Sequence, residues 1–371
     1  MQVIFRIGID DFFDGVYTTG IHAHVCTGNS MTTTIKSIAK LTGVSHSTVS
    51  RALRGNPLVA EETAARIRLA AQQLGYLPSA AARSLKTNRT QILGVIVSGI
   101  ADPFFSEVLF GIEACAQERR YSLFIGSSQH DPYKEQKIVQ TMLEQRIDGV
   151  IICSTSFSAE RGRQFLAHGF PIVVVNNQAA DNFNFSIYHD DVDGSRQVAR
   201  HLIKLGHERI AYLGNSSSGK TTLDRLNGFQ AEMEAHGLQV FPEYIHHVAG
   251  GSAEMGLEGF DYFRQLETLP TAIICFNDMV AIGVLKGCRS AGIRVPQDLS
   301  VTGFDNITFS DYTHPTLTTL DQPKREIGRE AAQLLLNLLS SDQEQPPQTQ
   351  QVKVLKGRLL VRESTAPPPA I

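Results

Sequence analysis

The chain has 371 residues, 42% of them hydrophobic and 19% charged, with a formal net charge of −3. No apolar run approaches the length of a membrane span, so a membrane partner is not expected. Five cysteines (26, 115, 153, 275 and 288) form no C-x-x-C pair, and their odd number without an export signal fits a reducing compartment. The first thirty residues, MQVIFRIGIDDFFDGVYTTGIHAHVCTGNS, lack a positively charged start followed by a continuous apolar core, so they do not read as a signal peptide. Met31 stands just before the first helical stretch, and residues 1–30 are expected to be a non-native or disordered extension. His22 and His24 within it do not by themselves make a metal site.

Residues 34 to 53, TIKSIAKLTGVSHSTVSRAL, read as two short helices broken at Gly43. Ile35, Ile38, Ala39 and Leu41 recur at helical spacing. The Thr34 hydroxyl can cap the first helix, and Gly43 can take positive φ without a Cβ clash. Ser45 can cap a second helix that buries Val49 and Leu53 and exposes His46, Ser47, Ser50, Arg51 and Arg54. Such a polar, cation-bearing second helix fits a DNA major groove; an ordinary helical hairpin is the plain alternative. A third stretch, EETAARIRLAAQQLGY, opens with Glu61 and Glu62, where negative charge favours a helix start. It offers Ala65, Ile67, Leu69, Ala70 and Leu74 to a small core, and Gly75 fits its stop. Residues 31–90 carry +7 and the residues after them −8. A basic head on an acidic body suits a phosphate-seeking module joined to another.

TIKSIAKLTGVSHSTVSRAL, followed by GYLPSAAARSLKTNRT, resembles the head and hinge of lactose-repressor (LacI/GalR) family transcription regulators, and the resemblance runs from Thr33 to about Glu363. It implies a recognition helix that reads bases with His46, Ser47 and Arg51, of which Arg51 could bond a guanine O6 and N7 together. Thr34, Ser45 and Arg54 match phosphate-contacting positions, which fix register and not sequence. In the hinge, Pro78 ends the preceding structure, and Ser79 to Lys86 resembles a short helix that orders when two subunits meet on DNA. Ser79, Ala82 and Leu85 are its implied DNA contacts, Leu85 as an apolar wedge that unstacks a minor-groove base step. Ala60 departs from the pattern, since a hydroxyl cap for the third helix would be usual there.

From Ile92 onward the chain alternates strand and helix: ILGVIVSG, YSLFIGSS, GVIICST, PIVVVNN, IAYLGNS, TAIICFND and SVTGFD are short β-branched runs with helical stretches between them. Near-continuous apolar strands separated by helices argue for parallel sheets covered on both faces, and about 280 residues suffice for two lobes. The resemblance implies a periplasmic-binding-protein-like pair, with the ligand beyond the C-terminal strand ends. The loop after the first strand places Asp102, Phe104 and Phe105 there, and Asn176 and Asn177 end the fourth strand. Phe105 could equally be core. Arg225, Asn277 and Asp305 match the family's effector-binding positions; an Asp accepting from hydroxyls, with Arg and Asn donating, suits a polyol. The doublet His246 and His247 reads as a strand edge.

Gly214 to Thr221, GNSSSGKT, also satisfies the P-loop pattern G-x-x-x-x-G-K-[ST], and Asp278 after TAIICFN could pass for its metal-binding Asp. Its position in the second lobe, on the effector loop, argues against an ATPase. A weaker variant has Gly219, Lys220 and Thr221 holding a phosphate or carboxylate on the effector. An exported sugar-binding protein would explain the body but not the basic head.

These readings predict an α/β protein with a three-helix helix-turn-helix head at 31–77, a hinge at 78–90 and a two-lobed body. Lobe 1 is expected at 91–189 with 320–348, and lobe 2 at 190–319 with 349–371, SDQEQPPQTQQ being a solvated loop. The expected function is a cytoplasmic, non-enzymatic repressor without cofactor or metal. As a homodimer it would bind a pseudo-palindromic double-stranded operator under control of a sugar, sugar acid or sugar phosphate. RESTAPPPAI lacks a heptad seam, which favours a dimer over a coiled-coil tetramer.

Overall fold

The computed structural model describes residues 34–76, 89–153, 159–176, 185–340 and 351–369. The expectations for residues 1–30, Pro78, Ser79, Ala82, Leu85, Lys86 and Asn177, and for most of the SDQEQPPQTQQ loop, lie outside the described residues. The chain divides into two compact units, Met1–Ser79 and Ala80–Ile371.

In the first unit, α1 (Ile35–Thr42), α2 (His46–Ala52) and α3 (Glu61–Gln73) enclose a small core of Ile38, Ala39, Val49, Ala52, Ala64, Ile67, Ala70 and Ala71. Gly43 takes φ of 68° at the end of α1, which opens the turn into α2. Ser45 Oγ accepts the Thr48 N–H at 3.1 Å and so caps α2. Ala60 leaves α3 without a side-chain cap. Three apolar residues assigned to this core from sequence are outside it: Leu41 is 58% and Leu69 56% exposed, and Ala65 is exposed too. The inward stripe of α3 runs Ala64, Ile67, Ala71, at spacings of three and four, so Ala65 and Leu69 fall on the opposite side.

Among the described residues, the second unit holds two six-stranded sheets. Its elements in chain order are β1 (Ile92–Val97), α4 (Pro103–Glu118), β2 (Ser122–Ser127), α5 (Pro132–Glu144), β3 (Gly149–Cys153), α6 (Ala159–Ala167), β4 (Ile172–Val175), β5 (Phe185–His189), α7 (Asp191–Lys204), β6 (Ile210–Asn215), α8 (Gly219–Ala235), β7 (Ile245–Val248), α9 (Ala253–Phe263), β8 (Ala272–Cys275), α10 (Asp278–Ser290), β9 (Ser300–Asp305), β10 (Thr318–Asp321), α11 (Lys324–Ser340), β11 (Gln351–Leu355) and β12 (Arg358–Leu360). The sheets run β11-β5-β4-β3-β1-β2 and β12-β10-β9-β8-β6-β7, parallel throughout except that β12 lies antiparallel to β10.

Alternation along each strand feeds two cores per lobe. Leu93, Val95 and Val97 of β1 meet Val108 and Ile112 of α4 and Ile327 and Leu335 of α11, whereas Ile96 faces Val139, Met142 and Phe165 on the other side. In the second lobe Leu213 packs with Phe260 and Val284, and Tyr212 with Leu202 and Phe229. The α4–α11 contact depends on glycine, because a Cβ on Gly111 would lie 2.1 Å from the Arg325 carbonyl oxygen and one on Gly328 2.0 Å from that of Val108.

The lobe boundaries differ from those expected. The chain returns to lobe 1 after Asp321, the end of β10, and not at Leu320; it leaves again after Leu355, so β11 belongs to lobe 1 and not to lobe 2. QVKVL is an exposed edge strand held by β5 alone, so it lacks the apolar run that marks an interior strand. β7, with His246 and His247, is the other kind of edge, last in the second sheet.

Candidate effector cleft and DNA-facing helix

On the head, His46, Ser47 and Arg51 are exposed along α2. Ser47 Oγ lies 2.8 Å from Ser45 Oγ, so its hydroxyl belongs to the cap as well as to the surface. Arg54 folds back, its Nε donating to the Ser50 carbonyl at 2.8 Å. Thr34 precedes α1 with its own N–H donating to Ser37 Oγ at 3.4 Å. The helix therefore presents an imidazole, hydroxyls and guanidiniums without an acidic group of its own.

In the body, the loops at the C-terminal strand ends of the two lobes enclose a cavity of about 730 Å³. Asp102, Phe104, Phe105, Asn176, Thr221, Arg225, Asn277 and Asp305 all line it. Asp102 caps α4 by accepting the Phe104 N–H at 2.9 Å, and burial raises its pKa against that bond. Phe104 and Phe105 meet edge to face, with centroids 5.3 Å apart. Asn277 is already committed: its Oδ1 accepts from Val280 N–H at 2.9 Å and its Nδ2 donates to the Gly251 carbonyl at 3.1 Å. Its contribution to a ligand is thus limited to what those bonds leave free.

Arg225 is the centre of the site. Its Nε donates to Asp191 Oδ1 at 3.0 Å, a second nitrogen lies 3.7 Å from Asp305 Oδ1, and another donates to the Phe276 carbonyl. The guanidinium also stacks 3.7 Å over Phe304 and 4.6 Å over Phe276. Burial opposes its charge, but Asp191 and Asp305 hold its pKa above the ordinary value. Burial likewise works to raise Asp191, yet Arg225 and His189 bring it below the carboxylate range. Asp305 goes the other way, pushed well up by burial despite Arg225. It accepts from Gln322 Nε2 at 2.6 Å. Its backbone has φ of 116° and that of Asn306 52°, a region non-glycine residues rarely enter, and Lys324 Nζ donates to both carbonyl oxygens. Of the cavity-lining residues, Thr221 and Gln322 each keep a buried atom, Oγ1 and Oε1, without a hydrogen-bond partner among the described residues.

Sequence reasoning missed Gln322, Phe276 and Asn215, which also line the cavity, and Asp191, which stands behind Arg225. Gln322 could have been sought as the residue following β10 at a lobe crossing.

The P-loop reading does not survive the geometry. Lys220 points to solvent, its Nζ donating to both oxygens of Asp224 at 2.8 Å, and it is not among the cavity residues. Asp278 is fully buried, bonded to the Thr319 hydroxyl and, at 2.8 Å, the Ile307 N–H. It serves the fold between α10, β9 and β10 and is unavailable to a metal-bound phosphate.

Residues 34–79 match the family described as bacterial regulatory proteins, lacI family, and residues 199–365 match a periplasmic binding protein-like domain. The HTH-type transcriptional repressor PurR of Actinobacillus pleuropneumoniae serotype 3 is 35% identical over 317 residues, which span 85% of this chain and 94% of that protein. Among solved structures, the lac repressor dimer bound to operator and the anti-inducer ONPF aligns with a TM-score of 0.79 at 25% identity, over 90% of this chain and 99% of that one. A LacI family regulator from Enterococcus faecium with bound ribose aligns with a TM-score of 0.66 at 26% identity, over 74% of this chain and 99% of that one.

Proposed function

The chain belongs to the LacI family of bacterial regulatory proteins, and on that premise we propose that it is a cytoplasmic, homodimeric repressor that releases or grips its operator when a small molecule fills the cleft. The observation that carries this reading is the convergence of eight residues from both lobes on one cavity, in a chain whose head carries an exposed, cation-bearing helix. Two heads related by a two-fold axis would select a pseudo-palindromic site. Arg51 is the residue positioned to read a base, whereas Arg54, Ser45 and Thr34 fix the register on phosphates.

The cleft favours an uncharged, hydroxyl-rich effector over a sugar acid or phosphate. Asp102 and Asp305 face the cavity, and the one guanidinium beside them is already shared with Asp191. Lys220 is turned away to Asp224. In sequence, residues 154–158 after β3 and 177–184 after β4 contain neither Lys nor Arg. The unpartnered Gln322 Oε1, beside the Asp305 carboxyl, calls for a ligand hydroxyl, and the partly exposed Phe105 offers apolar surface to a sugar ring's C–H groups, while Phe104 stays buried in the lobe 1 core behind it.

The test starts with selection of bound sequences from a random duplex pool at fixed salt, since phosphate affinity alone depends on salt. The selected duplex then reports operator release on adding D-ribose, D-glucose, cellobiose, D-gluconate or D-glucose 6-phosphate, followed by a fractionated metabolite extract. A two-fold site that responds to neutral sugars is the expected result. Sequence-blind binding at every salt concentration, with and without the extract, would sink the regulator reading.

A further inference from the structure

His189 ends β5 at the first crossing between the lobes, and its side chain is fully buried. Its Nδ1 lies 3.2 Å from Asp191 Oδ1, the same oxygen that accepts from Arg225 Nε. The ring also stands edge-on to Phe304, with centroids 5.6 Å apart at 83°, and the guanidinium of Arg225 rests on that aromatic ring. The imidazole thus touches both supports of Arg225, the carboxylate and the aromatic face.

The other side of the ring meets the remaining crossings. His189 Nε2 has no hydrogen-bond partner among the described residues. A Cβ on Gly357 would lie 2.7 Å from that nitrogen and 2.6 Å from the Asp321 carbonyl oxygen, so the imidazole packs where the second and third crossings approach one another. The Asp190 N–H donates to the Leu355 carbonyl at 2.9 Å, joining the first crossing to the third. With Nε2 unpartnered and Nδ1 against a carboxylate, the hydrogen-bond network assigns the ring proton to Nδ1, which donates to Asp191.

We infer that His189 is a positioning residue for the effector site: through Asp191 and Phe304 it fixes the Arg225 guanidinium and ties it to the three strands on which the lobes turn. The inference rests on the reading that Arg225 lines the effector cleft. Rotation of the lobes about their crossings moves His189 against Asp191, so the orientation of Arg225 depends on the lobe angle. An effector that engages Arg225 then favours one lobe angle, and by linkage the lobe angle alters effector affinity.

The paired substitutions His189→Asn and His189→Gln test this in the full chain, because the asparagine amide falls near the Nδ1 position and the glutamine amide near Nε2. The readout is hydrogen exchange of the Arg225 Nε–H by ¹⁵N NMR, assigned with Arg225→Lys, with circular dichroism confirming the fold of each variant. His189→Gln should speed that exchange about ten-fold, the factor carried by one lost hydrogen bond, while His189→Asn stays within about three-fold of wild type. Should His189→Gln not fold, His189→Leu takes its place with the same expectation. Equal exchange in the asparagine variant and in the glutamine or leucine variant, or no change in either, would overturn the inference. No effector is needed, so this outcome is separable from a failure of sugars to act on the operator, which would overturn the cleft reading while leaving the Arg225 exchange difference in place.

Discussion

Thr221 carries a hydroxyl that is buried at the mouth of α8 and has no partner among the described residues. A buried hydroxyl left unpaired costs stability, so its use has to come from something that enters the cavity. Thr221→Val keeps the shape and removes only that oxygen. The expected outcome is a melting temperature equal to or above wild type, with effector affinity reduced about ten-fold, as for one lost hydrogen bond. Differential scanning calorimetry and the operator-release titration measure the two halves, and a fall in stability with unchanged release would show that the hydroxyl serves the fold. Asn176, Asn277 and Asp305 were legible at the ends of apolar strands, where side chains of a parallel sheet reach its ligand edge, whereas Arg225 and Thr221, both on α8, were reached through the family resemblance and the loop motif. His189, Asp191 and Gln322 were not, because their placement depends on how the lobe crossings converge in space, which no local pattern encodes. The P-loop match shows the converse: the local spacing is complete, yet the i,i+4 partner Asp224 takes Lys220 away from the cavity.

At the scale of elements, α3 begins without a side-chain cap although Glu61 and Glu62 already favour its N-terminus. Ala60→Asp supplies an acceptor for the first-turn amides and should stabilise the head by about 1 kcal/mol. Slower hydrogen exchange across 61–73 with operator specificity unchanged is the expected signature. Asp278 makes a second case, at the start of α10. Burial pushes its pKa from 3.8 up to about 7, against the bonds from the Thr319 hydroxyl and the Ile307 N–H. Between those values the folded chain holds a proton that the unfolded chain has released. Stability from this group is therefore fully present below the unfolded value and is lost as pH rises through the folded one. The stability of wild type relative to Asp278→Asn should fall from about pH 4 to pH 7 and level off above it; parallel urea midpoints over that range would refute the assignment. Interior strands such as GVIIC and IVVV were readable because every residue is buried. The edge strand QVKVL, and the short FSIYH, TTLD and RLL, mix polar and apolar residues, and only pairing identifies them.

For the whole molecule, two-fold operator recognition as proposed would require a dimer, and the body carries a surface suited to one. Phe110 on α4 is 53% exposed with the Arg325 guanidinium 4.5 Å over its ring, and Tyr312, in the loop between β9 and β10, is 80% exposed. The two lobes meet here around a second cavity of about 540 Å³, lined by Glu107, Tyr312 and Arg325 among others. An aromatic and arginine-bearing patch of this kind is what protein interfaces concentrate, and self-association would bury it. Phe110→Asp combined with Tyr312→Asp places carboxylates against their own symmetry mates in such a contact. The expected dimer dissociation constant rises at least about 30-fold, the least that one hot-spot residue carries, as measured by sedimentation equilibrium. Operator binding should then become steeply dependent on protein concentration, because each half-site must recruit its own chain. The isolated effector cleft, built wholly within one chain, should keep its sugar response. A variant that stays dimeric would move the two-fold axis to another face, and one that loses sugar binding as well would mean that the lobes are held at their working angle by the partner.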